Sequence, residues 1–145
     1  MHTPIRIGIV GYGNLGRGVE SAIEQNADMT LVGVFTRRDP SSVVPRHPDT
    51  KVIAHDELDA HADEIDVLIL CGGSKSDLPV QSPELAARFS IVDSFDTHAR
   101  IPEHFAAVES AARAGATTAL ISAGPAPRKF PTHRVLGQAQ PGAGA

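Results

Sequence analysis

The stretch IRIGIVGYGNLG, residues 5–16, decides the fold that we expect. Its first half, residues 5–10, is short, rich in isoleucine and almost entirely apolar, which is typical of a strand buried on both faces of a parallel sheet. Its second half fits the pattern G-x-G-x-x-G and leads into residues 15–25, where apolar residues recur at helical spacing. A second apolar stretch, residues 30–35, completes a strand–helix–strand unit. In that setting the glycine pattern predicts a dinucleotide-binding loop.

The glycines of this loop have separate expected roles. Gly11 would make the tight turn, Gly13 would let the backbone approach a pyrophosphate, and Gly16 would let the helix pack closely on the strand. The N-terminus of the helix would present N–H groups and a partial positive charge to the phosphates. The alternative is a glycine-rich turn with a structural role only. The candidate cofactor-binding residues of the loop are Gly11, Tyr12, Gly13, Asn14, Leu15 and Gly16.

The end of the second strand predicts which dinucleotide is bound. An NAD site usually has an acidic residue about 20 residues after the glycine pattern, where it bonds the ribose 2′-hydroxyl. At that distance this chain has Thr36, followed by Arg37 and Arg38. Two guanidinium groups could pair with a 2′-phosphate, and one could also stack on the adenine. The alternative is a solvated arginine pair at a strand end. We predict NADP as the cofactor, with Thr36, Arg37 and Arg38 in its site.

The rest of the chain alternates apolar runs with helical patterns. We expect further strands at residues 52–54, 66–71, 90–93 and 117–122. We expect helices at residues 56–64, at 76–88 with Ser76 as N-cap and a break at Pro83, and at 102–114 with Gly115 ending the helix. This order predicts one doubly wound α/β domain of the Rossmann type over residues 1–123, with a mostly parallel sheet. Residues 124–145 are rich in Gly, Pro and Ala, which predicts a divergent tail that is disordered at its end.

Composition argues against several classes of function. The formal net charge is −4 and there is no Lys/Arg tract, so a nucleic-acid or anionic membrane partner is not expected. No apolar run is long enough to span a bilayer. The single cysteine, Cys71, cannot form an internal disulfide, and no Cys/His set has zinc-ligand spacing. We expect a protein of the reducing cytoplasm that holds no metal.

Five motifs in order resemble the N-terminal, cofactor-binding part of meso-diaminopimelate dehydrogenase. They are the glycine loop at 11–16, the turn at 36–38, Cys-Gly-Gly-Ser at 71–74, Val-Asp-Ser-Phe-Asp-Thr-His at 92–98, and Ile-Pro at 101–102. The resemblance covers residues 5–122. It implies NADP-dependent, reversible oxidative deamination at the D-centre of meso-2,6-diaminopimelate, a step of lysine and peptidoglycan-precursor synthesis, in a homodimeric family.

The resemblance implies further site residues at the ends of the later strands. The cofactor would also be lined by Cys71, Gly72, Gly73, Ser74, Ser94, Phe95, Asp96, Ala123 and Gly124. Asp96 would in addition face the amino group of the amino-acid substrate, where a carboxylate can pair with an ammonium and fix which C–H faces the nicotinamide. No residue is assigned as a certain catalytic group.

Simpler interpretations stay open for several of these residues. Asp93 or Asp96 could cap turns. His98 and His104 are expected at the surface rather than in proton transfer. Cys71 is expected to be a buried strand-end residue and not a nucleophile, because Lys75 is its only cationic neighbour in sequence.

Beyond the last predicted strand the sequence departs from the family pattern. The family has Gly-Trp-Asp-Pro-Gly-Met-Phe where this chain has residues 124–130, so Ala126 stands at the position of a second substrate-binding carboxylate. The family's substrate and dimerisation domain has no counterpart in these 145 residues, and we expect a truncated homologue. Two alternatives remain: an NADP-binding module without catalytic activity, and another shortened reductase of the same architecture, which the motif at 93–98 disfavours.

Overall fold

The computed structural model describes residues 3–73 and 75–123 and places six strands in one sheet. The strands are β1 (Ile5–Val10), β2 (Met29–Thr36), β3 (Val52–Ala54), β4 (Val67–Leu70), β5 (Ile91–Asp93) and β6 (Ala119–Leu120). Their order is β3-β2-β1-β4-β5-β6, and every neighbouring pair is parallel. The predicted α/β fold with a Rossmann-type sheet is confirmed.

Each face of the sheet has its own hydrophobic core. In β1, Ile7 and Ile9 belong to one cluster, which also contains Ile23 of the first helix, whereas Val10 belongs to the other. Successive side chains of a strand point to opposite faces, so a nearly continuous apolar run fills both cores. This is why residues 5–10 predict a central strand.

In the described part of the chain three α-helices cover the sheet: α1 (Asn14–Glu24), α2 (Leu78–Ala86) and α3 (Ile101–Gly115). Short 3₁₀ helices lie at Pro40–Ser42 and His98–Arg100, and a longer one at His55–Glu64. The helix predicted at 56–64 is therefore present, as a 3₁₀ helix and not an α-helix. Within this segment only Leu58 is buried, so there is no apolar stripe to stabilise an α-helix against the sheet.

The second helix differs from its prediction at its N-cap and at Pro83. Asp77, not Ser76, lies at the N-cap position, and α2 begins at Leu78. Pro83 lies inside α2 without breaking it. Pro79 already lies in the first turn, where a proline is tolerated because no intrahelical N–H bond is lost.

The predicted role of Gly115 also changes. Gly115 is the last residue of α3, and it is Ala116 that adopts the left-handed conformation, with φ of 54°. A Cβ on Gly115 would lie 2.1 Å from the carbonyl oxygen of Ala87, just after α2. The glycine is needed because the two helices approach too closely there for any side chain.

The topology places the ends of β1, β2, β4, β5 and β6 side by side along one edge. After β1 the chain moves outward to β2, and it later returns to the other side of β1 as β4. Ligands of open α/β sheets bind outside the carboxyl ends of the strands at such a switch point. The loops that follow these strands are therefore where a site is expected.

Candidate functional site

A cleft of about 470 Å³ opens at this edge of the sheet. Its walls come from the loops after β1, β2, β3 and β4 and from α2. Nine residues predicted from sequence line it: Gly11, Tyr12, Gly13, Thr36, Arg37, Arg38, Cys71, Gly72 and Gly73. Five more lining residues were not predicted: Val10, Phe35, His55, Asp77 and Gln81. The structure thus brings together three sequence-distant segments that the motifs marked separately.

The glycine loop has the geometry that its spacing predicts. Gly11 has a φ of +91°, which disfavours any side chain, and an added Cβ would lie 3.3 Å from the backbone of Cys71. At Gly13 an added Cβ would meet no atom of residues 3–73 and 75–123 within 4 Å, so this part of the chain leaves open space beside the backbone. At Gly16 it would lie 2.6 Å from the carbonyl oxygen of Gly11, so α1 starts in close contact with the loop.

The first turn of α1 is open to an anion. Among the described residues no side chain caps the helix at Gly13, and its first turn contains no acidic residue. The unpaired N–H groups and the positive end of the helix dipole are therefore available to a negatively charged group in the cleft. Asn14, Leu15 and Gly16 form the start of this helix and do not line the cleft.

The side chain of Tyr12 points into a buried hydrogen-bond network around Glu20. Its hydroxyl donates to the Glu20 carboxylate and accepts from the Arg46 N–H at 2.8 Å. Glu20 has no exposed surface and also accepts from the Thr50 hydroxyl at 2.6 Å and from the His47 N–H at 3.2 Å. Burial acts to raise the pKa of Glu20, but these hydrogen bonds outweigh it and hold the pKa below its usual value. The network fixes the glycine loop to α1 and to residues 46–50.

The turn after β2 folds back onto the glycine loop. Thr36 is buried, and its hydroxyl accepts from the Arg38 N–H at 3.0 Å. The guanidinium of Arg38 donates to the carbonyl oxygen of Tyr12 at 2.9 Å. These two bonds hold Arg38 across the mouth of the loop, between the ends of β1 and β2.

Arg37 makes a different contact. Its Nη2 donates to Oδ1 of Asp77, at the start of α2, over 2.5 Å. Oδ2 of Asp77 accepts from the Gly73 N–H at 3.1 Å. The Gly73 bond, followed by the Arg37 bond, holds the pKa of Asp77 below its usual value. A carboxylate thus lies beside Arg37 in space. The position about 20 residues after the glycine pattern, where an NAD site usually has its acidic residue, holds Thr36 to Arg38 instead.

Two buried polar atoms on the cleft wall have no hydrogen-bond partner within the described residues: Nδ1 of His55 and Oε1 of Gln81. Gln81 is only 7% exposed. A buried polar atom without a partner is costly, so such atoms mark places where a bound polar group is expected to complete the bonding. His55 follows β3 directly, and Gln81 lies one helical turn after Asp77. These positions identify the two residues as part of the cleft only once the fold is known.

Cys71 lies at the end of β4, half-buried, with its Sγ 3.9 Å from the carbonyl oxygen of Ile69. Burial raises the pKa of its thiol to about 12. At neutral pH Cys71 is a protonated thiol, which agrees with the prediction of a strand-end residue that is not a nucleophile.

Four of the predicted site residues lie farther along the same edge and do not line the cleft. Ser94, Phe95 and Asp96 follow β5, with Phe95 buried and Asp96 exposed, and Ala123 follows β6. Ser74 and Gly124, together with the tail at 125–145 and its Ala126, lie outside the described residues. The cleft therefore occupies the part of the edge nearer β2, and the substrate-facing residue expected at Asp96 lies toward β5.

A second buried network organises the loops after β5 and β6. Oδ2 of Asp93 accepts from the Ser82 hydroxyl at 2.6 Å and from the His104 Nε2–H at 2.7 Å. Its Oδ1 accepts from the N–H of Phe95 at 3.1 Å and of Ser122 at 2.8 Å. Burial acts to raise the pKa of Asp93, but these four bonds outweigh it and keep the pKa low. Asp93 thus caps the following turn, as one interpretation predicted, and also ties two loops together.

The surface position expected for His104 is wrong. His104 is buried because it pairs with Asp93 and stacks on the ring of Phe95, with the centroids 4.0 Å apart. His98 is exposed, as expected. A histidine on an amphipathic helix gives no sequence signal for such a partner on a neighbouring strand.

Two other expectations can be compared with the part of the chain that the structure describes. No helix there is long and apolar enough to cross a membrane. Over the same residues, 3–73 and 75–123, no group of three or more His, Cys, Asp or Glu side chains is arranged to hold a metal ion.

The chain was compared with known proteins in sequence and in structure. No family model matches the chain. The meso-diaminopimelate D-dehydrogenase of Ureibacillus thermosphaericus is 58% identical over 134 residues, which are 92% of this chain and 41% of that protein. An engineered D-amino acid dehydrogenase crystallised with NADP⁺ matches with a TM-score of 0.82 and 44% identity, over 94% of this chain and 41% of that one.

A structure of the C. glutamicum DAP dehydrogenase in complex with DAP gives the same TM-score of 0.82, at 44% identity and over 41% of its length. The chain thus spans 41% of the relatives it matches and corresponds to their N-terminal part. The resemblance predicted from the motifs is confirmed to that extent.

Proposed function

We propose that this chain, which is related over most of its length to the N-terminal part of the meso-diaminopimelate D-dehydrogenases, binds NADP at the carboxyl edge of its sheet. Its role would be that of the cofactor-binding part of an enzyme for the reversible oxidative deamination of meso-2,6-diaminopimelate. The single observation that carries the proposal is the cleft that joins the glycine loop to Arg37 and Arg38.

The residues of the cleft fit a dinucleotide phosphate. Open space beside Gly13 and the uncapped start of α1 suit a pyrophosphate. The two unpaired buried atoms, on His55 and Gln81, suit a polar base or ribose. A cofactor anchored there would extend along the strand ends, from β2 past β1 and β4 toward β5, because that is the order of the strands in the sheet.

The arginine pair supports NADP over NAD. Arg37 and Arg38 both line the cleft and approach it from the turn after β2, where the 2′-position of the adenosine ribose is expected. Arg38 is held in place by a neutral partner, the Tyr12 carbonyl, so its charge stays available to a phosphate. Bidentate bonds from a guanidinium to a phosphate are among the stronger hydrogen bonds in proteins.

The far end of the edge suits the reacting part of the site. When bound, NADP⁺ accepts the hydride from the substrate. Asp96 presents an exposed carboxylate beyond β5, where it would pair with the ammonium of the amino-acid substrate and orient the reacting carbon. Asp93 holds the loops after β5 and β6 at fixed positions, because its carboxylate accepts one backbone N–H from each.

A titration of the 145-residue chain with NADPH, followed by nucleotide fluorescence, tests this proposal. We expect saturable binding that adenosine 2′,5′-bisphosphate displaces and that AMP displaces much more weakly, because only the former carries the 2′-phosphate. Thermal stability should rise with NADPH concentration, since a ligand that binds the folded state stabilises it. An absence of NADPH binding at millimolar concentration would contradict the proposal.

A binding module without catalytic activity is the second candidate. Because the given chain spans 41% of these relatives' length, NADP binding and substrate turnover are tested separately on these 145 residues. For this chain alone we expect NADPH binding with negligible ammonia-dependent oxidation of NADPH in the presence of the 2-amino-6-oxo acid. Turnover near that of a full-length relative would decide for the enzyme and against the module.

A further inference from the structure

The ion pair between Arg37 and Asp77 crosses the mouth of the cleft. Arg37 comes from the turn after β2, whereas Asp77 comes from the start of α2 on the opposite wall, and both line the cleft. Their side chains are 60% and 31% exposed, so a ligand can reach both of them. The contact joins Nη2 to Oδ1 over 2.5 Å, so the carboxylate of Asp77 already pairs with the guanidinium of Arg37.

We propose that Asp77 is a specificity-determining residue of the cofactor site, which competes with the 2′-phosphate for Arg37 and thereby weakens the preference for NADP over NAD. The inference rests on the proposed function, since it assumes that the adenosine end of a nicotinamide dinucleotide binds beside Arg37. It assigns to Asp77 an effect opposite to that of the two arginines.

The competition follows from charge and position. Asp77 accepts bonds from the Gly73 N–H and from Arg37, and both favour the ionised carboxylate at neutral pH. A 2′-phosphate that approaches Arg37 must therefore share its guanidinium with a carboxylate of the same sign. Like charges within hydrogen-bond reach of one cation repel each other, and screening by solvent reduces this repulsion without removing it.

The effect of Asp77 on the binding of NAD is expected to be small, or opposite in sign to its effect on the binding of NADP. NAD presents a 2′-hydroxyl, which can donate to a carboxylate, and an acidic residue after the second strand usually accepts this bond. In this chain the position after β2 is occupied by Thr36 to Arg38, but Asp77 supplies a carboxylate from the opposite wall of the cleft, at the start of α2. Arg38 is held by the Tyr12 carbonyl instead, so the two arginines differ in how much charge they can offer to a phosphate.

The test compares Asp77→Asn with the wild-type chain in fluorescence titrations with NADPH and NADH at one fixed salt concentration. Asparagine keeps an oxygen for the Gly73 N–H and removes the charge. We expect the ratio Kd(NADH)/Kd(NADPH) to rise about tenfold, mainly through tighter NADPH binding, which corresponds to about 1.4 kcal/mol. Glu84→Gln is the matched control, because it removes the same charge from an exposed position of α2 and should change the ratio less than twofold.

A second neutral variant, Asp77→Ser, also keeps an oxygen near Gly73 and covers the case in which Asp77→Asn does not fold. Circular dichroism of each variant checks its fold before titration. An unchanged or lower ratio in a folded neutral variant, while the wild type binds NADPH, overturns the inference about Asp77 alone. If the wild type binds neither nucleotide, the proposed function fails as well and the inference falls with it.

Discussion

Replacement of Glu20 by alanine tests whether the buried network around this carboxylate holds the glycine loop in place. Four donors converge on Glu20: the hydroxyls of Tyr12 and Thr50 and the N–H groups of Arg46 and His47. In Glu20→Ala, Tyr12 and Arg46 keep each other as partners, because the Arg46 N–H also donates to the Tyr12 hydroxyl at 2.8 Å. The other two donors lose their acceptor.

The expected cost follows from those two donors. A hydrogen bond to a charged group contributes about 1.5–3 kcal/mol. Water can replace part of each lost bond, because His47 is exposed and Thr50 is half-buried, and relief from burying the Glu20 charge offsets a further part, so we expect the free energy of unfolding to fall by about 2–3 kcal/mol. In a domain of this size that corresponds to a decrease in Tm of about 6–10 °C. Urea and thermal denaturation monitored by circular dichroism would measure both quantities.

Glu24→Ala is the matched control, because Glu24 lies in the same helix and is exposed. We expect it to change the unfolding free energy by less than about 0.5 kcal/mol. A loss below about 1 kcal/mol in Glu20→Ala, or equal losses in the two variants, would contradict this expectation. Either result would mean that residues 46–50 are not anchored through Glu20.

Three further changes have expected outcomes. Gly115→Ala should destabilise the fold by about 2–3 kcal/mol, since its Cβ would lie 2.1 Å from the Ala87 carbonyl oxygen. Gly18→Ala, on the exposed side of α1, should be neutral or slightly stabilising in the same denaturation assay. Equal losses in the two variants would contradict this expectation. Because the pKa of Asp93 lies below its unfolded value of about 4, the stability that Asp93 contributes is present above about pH 4 and is lost as the pH falls further, so Tm should drop toward pH 3 and drop less steeply in Asp93→Asn. Iodoacetamide should alkylate Cys71 far more slowly at pH 7.5 than it alkylates free cysteine, and NADPH should slow the reaction further, as followed by intact-mass spectrometry; modification at the rate of free cysteine would show that the thiol is not buried.

The sheet could be predicted because its signals are local. Residues 5–10 are apolar on both faces, the glycine loop follows directly, and the remaining strands repeat the pattern at intervals that a parallel sheet requires. The same locality explains why the glycine loop and Thr36 to Arg38 were found as cofactor candidates. The roles proposed for these residues depend on their positions directly after β1 and β2, and those positions follow from the order of the predicted strands along the chain.

The errors and omissions arise where a residue is fixed by a partner that is distant in sequence. Asp77 lies 40 residues from Arg37 and joins it only because β4 packs beside β1. Glu20 and His104 are polar residues of a kind that usually lies on the exposed side of a helix. Both are buried, because each has hydrogen-bond partners in another part of the fold. The type of the helix at 56–64 could not be predicted for a related reason: its acidic residues give no information on how little of the segment packs against the sheet, where only Leu58 is buried.

The affinities of the wild-type chain and of an Arg37→Gln/Arg38→Gln variant for NADPH and for NADH, measured side by side by fluorescence titration, show whether the two arginines bind a 2′-phosphate. We predict that the wild type binds NADPH at least tenfold more tightly than NADH, and that the double variant loses this preference while it keeps most of its affinity for NADH. Equal wild-type affinities, tighter NADH binding, or a preference that survives the loss of both arginines would contradict the claim that Arg37 and Arg38 bind a 2′-phosphate.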